Sequence, residues 1–304
     1  MHWTEEAKEA RKKYIGGSDA AGILGLSRYS SPLSVWAIKT GEVKPKDIDD
    51  VVAVKLGNKL EQTVSEFFTE ETGKKLVRVN KTLTHPKYDF LKANIDRKVV
   101  GENAGFEAKT AGPFKTKEWK DDEIPVEYLI QCIHYLAVTG WDAWYIAVLI
   151  GNQRFLWKKI DRSEGVINNL VKKELEFWND FVLPKVMPIQ ITADDSDILY
   201  ELFPQATPET QVELGDDIQK LCEIRDSSFA DMKILERQIE EYNNTIKSKL
   251  KENEMGITKT YKITWRNQLE RRIDTKLFKE EQPEMYNRYA PERSKRVLRV
   301  KVQK

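Results

Sequence analysis

A predicted helix separates two groups of predicted strands in the middle of the chain, and this order constrains the fold more than any other feature. Residues 91–100 and 106–110 have strand-like patterns separated by turn-forming residues. A helix at Val126–Thr139 follows, and then strands at 144–150 and 154–160 joined by a Gly-Asn hairpin signal. Such an order is typical of a mixed α/β (α+β) core, so we predict a central mixed sheet flanked by helices.

Further helices are predicted on both sides of this region from capping residues and from apolar residues at the helical period. They are residues 4–14, residues 19–24 with Ser18 as the cap, Pro32–Thr40, Val52–Thr72, and a helix from the Ser163 cap through Phe181 with Val166, Leu170, Leu175 and Trp178 on its inner side. Together with the strands they predict one domain over residues 1–185.

The composition changes after this domain. Residues 193–218 contain eight acids and no Lys or Arg, and several prolines lie nearby, so residues 186–210 are predicted to be an acidic linker. Residues 211–304 form a C-terminal helical and basic region. Its helix, at about 212–251, has apolar residues at three-four spacing, which fits either a coiled-coil-like seam or packing on its own domain.

The end of the chain is basic, with thirteen Lys or Arg and six Asp or Glu in residues 262–304. Residues 258–266 and 295–302 resemble strands of a small terminal sheet. A basic tail is compatible with a polyanionic partner or with a solvated surface.

Cysteine and histidine usage excludes several classes of protein. Cys132 and Cys222 are the two cysteines, and the chain has three histidines and no CxxC pair, which is too few ligands for a structural zinc or an iron–sulfur cluster. The longest apolar run, residues 143–150, is too short to span a membrane. The N-terminus has no apolar signal core. We therefore expect a cytoplasmic protein.

Two acids and a lysine near the centre form the candidate catalytic motif. Asp96 lies on the first predicted strand, and Glu107-Ala108-Lys109 lies on the second. Strand side chains alternate faces, so Glu107 and Lys109 share a face; a hairpin with an even-numbered loop would place Asp96 on it, opposite Lys109. Carboxylate oxygens suit magnesium or manganese, and the lysine could orient or deprotonate a water. The alternative is a solvated cross-strand charge pair.

Two helices that flank these strands carry further polar residues. Glu61 lies between apolar positions of the Val52–Thr72 helix, and Gln131 and Tyr135 lie one turn apart on the next predicted helix. Taken alone, they also fit a surface acid, a buried amide and a core aromatic.

The order of these motifs resembles the PD-(D/E)XK nuclease superfamily. More narrowly, the segment from Ile15-Gly16-Gly17-Ser18-Asp19 to Gly25 resembles the opening of the YqaJ viral recombinase family, whose members are similar to the exonuclease of phage lambda. The resemblance covers about residues 11–182. One departure is Ile95, which stands where the superfamily name expects proline; ligation does not require that proline.

The resemblance implies roles for individual residues. Asp96, Glu107 and the Ala108 carbonyl match metal ligands, and Lys109 matches the lysine that positions the attacking water. Two other matches are Glu61, an accessory acid that binds a second ion directly or through water, and Gln131, which supports the site.

A second set of residues is implied to contact DNA. Arg11 and Ser18 match a pocket for a 5′-phosphate, and Asn94 matches a further phosphate donor; Tyr135 is grouped with them on the DNA side. A helix N-terminus capped by Ser18 would favour an anion, although a simple cap needs no ligand.

The expected function is that of a phage-type or bacterial recombination exonuclease. It would use Mg²⁺, or Mn²⁺ as a substitute, to degrade linear double-stranded DNA from 5′ to 3′ and expose single strands. The resemblance also implies a single-strand annealing protein as partner and a homo-oligomeric ring trimer. The alternatives are an endonuclease of the same superfamily, either a restriction or a structure-specific enzyme, and an inactive DNA-binding scaffold.

Overall fold

The computed structural model describes residues 9–48, 50–119, 123–292 and 294–302. The chain divides into two compact units, of which the first ends at Pro204 and the second begins at Gln205. The predicted boundaries at 185 and 210 stay predictions. Within the described residues, no helix is both long and apolar enough to span a bilayer.

The first unit is built on a five-stranded mixed sheet with strand order β1-β4-β5-β6-β7. Its strands β5 and β6 are parallel, and helix α4 connects them; the other neighbours are antiparallel. The predicted mixed α/β fold is therefore confirmed. The elements are α1 Gly17–Ile23, α2 Pro32–Thr40, α3 Val52–Thr72, β1 Leu76–Arg78, β2 Leu83–Thr84, β3 Lys92–Ala93, β4 Arg97–Val99, β5 Ala104–Ala111, a 3₁₀ helix at Pro113–Trp119, α4 Val126–Thr139, β6 Ala143–Ile150, β7 Arg154–Asp161, α5 Glu164–Phe177, a π-helical turn at Trp178–Val182, a 3₁₀ turn at Ala193–Asp195 and α6 Ser196–Leu202.

Several helix and turn predictions are confirmed in detail. Helices α2, α3 and α4 have the predicted bounds. Ser31 caps α2 by accepting a hydrogen bond from the Ser34 amide, and Gly73 ends α3 with a φ of 70°. Gly151 and Asn152 both have positive φ, as the hairpin between β6 and β7 requires.

The sheet buries a hydrophobic core on each face because successive strand residues point to opposite sides. On β6, Trp144, Ile146 and Val148 belong to a core that includes residues of α4 and α5. Phe106 and Tyr145 belong to a second core with Val64 and Phe68 of α3, and Phe68 lies 4.8 Å from Phe106 between ring centroids. Helices thus cover both faces, and the ends of β4 and β5 are held between them.

The predicted strand at 91–100 is interrupted, which corrects the expected position of Asp96. Residues 94–96 lie outside the strands, because β3 pairs with β2 whereas β4 pairs with β1 and β5. The change of partner requires a bend. The predicted pairing of Asp96 with Lys109 is wrong: the ladder pairs Arg97 with Phe106, a register that continues to Asp96 opposite Glu107. Asp96 still faces the predicted side.

Two N-terminal predictions need correction or lie partly outside the described residues. The helix predicted at 4–14 is described only from residue 9, and it is helical through residue 11. Ser18 does not cap α1, since the helix begins at Gly17 with Gly16 as its N-cap. Asp19 instead accepts a hydrogen bond from the Gly16 amide at 2.8 Å. Ser18 therefore lies inside the first turn.

The helix predicted from Ser163 through Phe181 is α-helical only to Phe177 and continues as a π-helical turn. Val166 is 49% exposed rather than on the inner side, and its neighbour Ile167 is buried. At the start of this helix the buried face therefore includes Ile167 instead of the predicted Val166.

The predicted acidic linker contains ordered elements, namely the 3₁₀ turn at Ala193–Asp195 and α6. Asp195 is buried, accepts hydrogen bonds from the Ser31 hydroxyl and the Thr192 amide, and so ties this acidic segment to the cap of α2. Part of the segment thus packs on the first unit.

The second unit contains α7 Asp216–Leu250, β8 Met255–Ile257, β9 Lys262–Thr264, α8 Thr275–Glu281 and α9 Pro283–Tyr289. The long predicted helix is confirmed, and its apolar residues Leu235 and Ile239 are exposed. Within the predicted strand 258–266 only β9 forms, and it pairs with β8. Residues 295–302 are not a strand. The prediction that they form a small terminal sheet with residues 258–266 is therefore wrong.

Candidate active site

The predicted acids and lysine converge at the bend before β4 and along β5. A cavity of about 370 Å³ is lined there by residues of α3, β5 and α4 together with Asp96. Glu107 and Lys109 point to the same side because they are two positions apart on β5. The lining residues are Val54, Gly57, Asn58, Glu61, Val64, Asp96, Glu107, Ala108, Lys109, Thr110 and Tyr128.

Asp96 is fixed by the backbone of β5. Its Oδ2 accepts a hydrogen bond of 2.9 Å from the Ala108 amide, which holds the carboxyl group beside the strand although residue 96 has left the ladder. Burial raises the pKa of Asp96 above its ordinary value, against the opposing effects of the Ala108 hydrogen bond and the Lys109 charge.

Glu107 is 4% exposed and has one carboxylate oxygen without a partner. Its Oε1 accepts hydrogen bonds from Lys109 Nζ at 2.6 Å and Gln131 Nε2 at 3.0 Å, whereas Oε2 is buried and accepts none. Burial is the larger cause and repulsion from Asp96 the next, and together they raise the pKa of Glu107 to about 7. A buried carboxylate oxygen with no donor is costly unless a cation or proton occupies it.

Lys109 is held as a charged donor. Its Nζ contacts Glu107 Oε1 at 2.6 Å and Gln131 Oε1 at 3.0 Å. Burial lowers the pKa of Lys109, but attraction by Glu107 and Asp96 outweighs burial and leaves the pKa above its usual value. Of the two roles that the sequence left open, the protonated side chain favours orienting a water over accepting its proton.

Gln131 connects the carboxylate, the lysine and the core. Its Nε2 donates to Glu107 Oε1 and, at 2.7 Å, to the Tyr135 hydroxyl, which uses both amide hydrogens. Tyr135 is 5% exposed and lies behind Gln131. The contact makes Tyr135 a support of the Gln131 amide, and its expected grouping with the DNA-contacting residues stays a prediction.

Glu61 reaches the site from α3 and is paired with Arg97. The Arg97 Nη2 lies 3.3 Å from Glu61 Oε1, and the same guanidinium donates to Ser65 Oγ at 2.6 Å. Burial, followed by repulsion from Asp96, raises the pKa of Glu61, and Arg97 opposes this shift. Arg97, one residue after Asp96, thus connects the bend to the helix that carries Glu61.

The oxygen donors fit a hard divalent cation in part. The carboxylates of Asp96 and Glu107 line one cavity, and the unpartnered Oε2 of Glu107 is the kind of oxygen that such an ion binds. Among the described residues, no three His, Cys, Asp or Glu side chains are grouped closely enough to hold an ion by themselves. A site here would therefore need ligands besides these side chains, such as a backbone carbonyl or water.

The residues expected to bind phosphate lie along the N-terminal segment beside β3. Ile15 forms backbone hydrogen bonds with Phe90 and Lys92, which aligns this segment with the strand. Arg11 Nη2 donates to Ser18 Oγ at 2.6 Å, so the two predicted pocket residues are together.

Neighbouring polar contacts fix the same region. Asn94 Nδ2 donates to the Tyr14 hydroxyl at 2.9 Å, and Lys39 Nζ lies 2.7 Å from Asp19 Oδ2. Burial raises the pKa of Asp19, but Lys39 and Arg11 outweigh it, so the pKa stays below its ordinary value and the carboxylate is ionised. Asn94 directly precedes Ile95 and Asp96, and so links this region to the bend before β4.

Three contributors were not identified from the sequence. Arg97 directly follows Asp96, and Tyr128 lies three positions before Gln131 on α4, a spacing that places both on one helix face. Gly17 allows α1 to approach α4: a Cβ there would lie 2.6 Å from the Tyr135 ring and 3.0 Å from Gln131 Cγ. The helical spacing could have indicated Tyr128, whereas the other two depend on tertiary contacts.

Comparison with known proteins identifies the family. The family model described as YqaJ-like viral recombinase domain matches residues 6–142. Over 288 residues, the chain is 38% identical to the uncharacterized protein YqaJ of Bacillus subtilis (strain 168), covering 93% of this chain and 89% of that protein. The chain belongs to the YqaJ-like viral recombinase family. The relative extends through both compact units, so the C-terminal region is shared with it.

Solved structures with similar backbones include exonucleases. The alkaline exonuclease LHK-Exo of Laribacter hongkongensis is 17% identical, with a TM-score of 0.49, covering 60% of this YqaJ-family chain and 94% of that chain. A phage-related exonuclease of Haemophilus somnus 129PT is 15% identical, with a TM-score of 0.41 and coverages of 56% and 93%. These values describe a distant likeness and assign no residue role to this protein.

Proposed function

We propose that this YqaJ-family protein is a Mg²⁺-dependent exonuclease that degrades linear double-stranded DNA from 5′ to 3′ and exposes single strands. The observation that carries the proposal is the convergence of Asp96, Glu107 and Lys109 on one cavity, with a buried and unpartnered oxygen on Glu107. Acids and a lysine in this arrangement suit phosphodiester hydrolysis better than the binding of an uncharged ligand.

The carboxylates of Asp96 and Glu107, the Ala108 carbonyl, and Glu61 directly or through water are the groups that would hold Mg²⁺ or Mn²⁺. When bound, the ion would offset the negative charge that develops on the phosphate and favour deprotonation of a water. The side chains of the protein would position the attacking water. Lys109, fixed by Glu107 and Gln131, would orient the attacking water with its remaining N–H.

The proposed direction rests on the region around Arg11. Arg11 and Ser18 lie 2.6 Å apart, and a guanidinium beside a hydroxyl suits a terminal phosphate. Asn94, next to the catalytic bend, would be a further donor. We infer that a 5′-phosphate binds there while the adjacent phosphodiester lies over Asp96 and Glu107.

Digestion of matched DNA substrates tests the proposal. The wild-type protein with Mg²⁺ should degrade linear duplex with 5′-phosphates faster than the same duplex without them, and should leave covalently closed circles intact. Lys109→Ala should lose digestion, whereas Lys173→Ala, which removes an exposed lysine paired with Glu176, should not. Arg11→Ala should lose the preference for a 5′-phosphate.

Other results would favour the alternatives. Cleavage of closed circles would indicate an endonuclease, and binding of DNA without digestion under any divalent ion would indicate an inactive scaffold. A ring trimer and a single-strand annealing partner are further proposals that rest on the family resemblance. Mass measurement in solution and co-purification with an annealing protein test them separately.

A further inference from the structure

The ring of Tyr128 lies against the ammonium group of Lys109. Tyr128 is on α4, one turn before Gln131, and lines the same cavity as Asp96 and Glu107. Lys109 Nζ lies 4.8 Å from the centre of its ring. A lysine at this distance over an aromatic face is attracted by the negative charge density of the ring.

A second aromatic ring also contacts Tyr128. Trp119 stacks on Tyr128 with 5.9 Å between ring centroids and 25° between ring planes. Trp119 is buried, so this contact limits the freedom of the ring. The Tyr128 ring thus contacts both Trp119, at the end of the 3₁₀ helix Pro113–Trp119, and the Lys109 ammonium.

The contacts of Lys109 account for two of its three N–H groups. Glu107 Oε1 accepts one and Gln131 Oε1 accepts another, which leaves one N–H for a water or substrate oxygen. Together with the Cε–Nζ bond, these two hydrogen bonds set the direction of the third N–H through the tetrahedral geometry of the ammonium. The ring contact holds the flexible lysine side chain where it makes both hydrogen bonds, and so keeps the remaining N–H in that direction.

The hydroxyl of Tyr128 contacts a residue other than the lysine. It lies 3.4 Å from the hydroxyl of Tyr29, a residue that is largely exposed. Burial and the contact with Tyr29 raise the pKa of Tyr128, so the phenol stays protonated at neutral pH. The ring, and not the hydroxyl, is therefore the part of Tyr128 that contacts Lys109.

We propose that Tyr128 is a positioning residue that directs the Lys109 ammonium through its ring face. The effect on catalysis rests on the proposed nuclease function. The contact between ring and lysine rests on the geometry alone. A ring that lacks the hydroxyl should serve as well as tyrosine, whereas an aliphatic side chain of similar volume should not.

Substitutions that separate ring from hydroxyl test the role. Tyr128→Phe should digest linear DNA at nearly the wild-type rate, and Tyr128→Leu should lower kcat about ten-fold with little change in KM. Tyr29→Phe removes the same hydroxyl contact from its other end and is the matched control, with an unchanged rate. Phenylalanines carrying two or three ring fluorines at position 128 should lower kcat stepwise, because each fluorine withdraws charge from the ring face.

A measurement without DNA or metal tests the contact itself. In protein labelled with ¹³C at the lysine ε position, and with Lys109 assigned through Lys109→Arg, the ring should shift the Lys109 ¹Hε resonance upfield. The shift should persist in Tyr128→Phe and vanish in Tyr128→Leu. A missing shift, or a Tyr128→Leu protein as active as Tyr128→Phe, overturns the inference while wild-type digestion continues. A wild-type protein that leaves linear DNA intact overturns the nuclease proposal instead, and with it the catalytic role of the ring.

Discussion

The side-chain amide of Gln131 on α4 donates to Oε1 of Glu107 on β5 at 3.0 Å, and its own oxygen accepts from Lys109 at the same distance. One neutral side chain therefore bridges both members of the acid-x-lysine motif. Gln131 also donates to the buried Tyr135, which fixes the amide orientation. Correct placement of the acid and lysine consequently depends on how α4 packs across the sheet.

Replacing this amide should slow the proposed reaction without removing any of the proposed metal ligands. Gln131→Leu loses the three hydrogen bonds to Glu107, Lys109 and Tyr135, and we expect kcat to fall roughly 10- to 100-fold. Single-turnover digestion of linear duplex measures the effect. Gln153→Leu, in the exposed hairpin turn, is the control and should leave the rate unchanged; an equal loss in both proteins would argue against the bridge.

Replacing Gly17 and Gly165 by alanine should change the free energy of unfolding in opposite directions, because only Gly17 lies where α1 packs closely on α4. Gly17→Ala places a Cβ 2.6 Å from the Tyr135 ring, so the free energy of unfolding should fall by about 1–3 kcal/mol and Gln131 should be displaced. Gly165→Ala, in the first turn of α5 with open space at its Cβ, should raise it by about 0.5–1 kcal/mol. Urea unfolding measures both, and a neutral Gly17→Ala would contradict the packing described.

Arg97 should contribute to stability as well as to the site. The guanidinium is buried and donates to Ser65, Gln62 and Glu61, so Arg97→Met removes this donor from all three, and among the described residues only Gln62 keeps a second one, from Arg78. We expect a loss of roughly 2–4 kcal/mol in the free energy of unfolding. Arg78→Met removes an exposed arginine near Gln62 and should change it by no more than about 0.5 kcal/mol. Comparable losses in the two variants would show that the buried contacts of Arg97 contribute no more to the free energy of unfolding than those of the exposed Arg78.

Stability should also depend on pH through the buried pair of His134 and Glu174. His134 Nδ1 lies 2.7 Å from Glu174 Oε1, and its other nitrogen lies 2.9 Å from the Lys92 carbonyl. Burial lowers the pKa of His134, but attraction to Glu174, its hydrogen bonds and the nearby Asp19 outweigh burial and raise the pKa above 6.5. A raised histidine pKa means that the folded state binds the proton more tightly, so this stabilisation is present below about pH 6.5 and is lost as pH rises through the folded value.

Urea midpoints between pH 6 and pH 9 measure this contribution. The wild-type protein should lose stability over this range relative to a variant carrying both His134→Leu and Glu174→Leu, in which the pair is replaced by apolar groups of similar burial. Parallel curves for the two proteins would show that the pair does not take up a proton on folding.

The convergence of the candidate site residues could be predicted from the sequence because their signal is local. Glu107 and Lys109 share a strand face by alternation, and Val52–Thr72 and Val126–Thr139 have clear helical periods that place Glu61 and Gln131 beside them. The predicted pairing of Asp96 with Lys109 was wrong because β3 and β4 pair with different strands, and these pairings depend on the arrangement of all the strands. The capping role of Ser18 was wrong because Asp19, one position later, accepts the Gly16 amide.

The remaining parts of the site depend on contacts between residues far apart in sequence. Arg97 meets Ser65 across 32 positions, and Gly17 meets Tyr135 across the helix interface. Tyr128 acquires its place only when β5 and α4 are both formed. Local propensity and periodicity carry no information on such pairings, so a single sequence could not have identified Arg97 and Gly17, whereas the helical spacing from Gln131 could have indicated Tyr128.

The role of Glu107 provides the most direct test of the proposed nuclease site. Glu107→Gln keeps the size of the side chain and removes its charge and the unpartnered carboxylate oxygen. In single-turnover digestion of 5′-phosphorylated linear duplex with Mg²⁺, we expect this variant to lose activity by about three orders of magnitude or more while its thermal unfolding stays cooperative. Digestion by Glu107→Gln at the wild-type rate would contradict the assignment of this site.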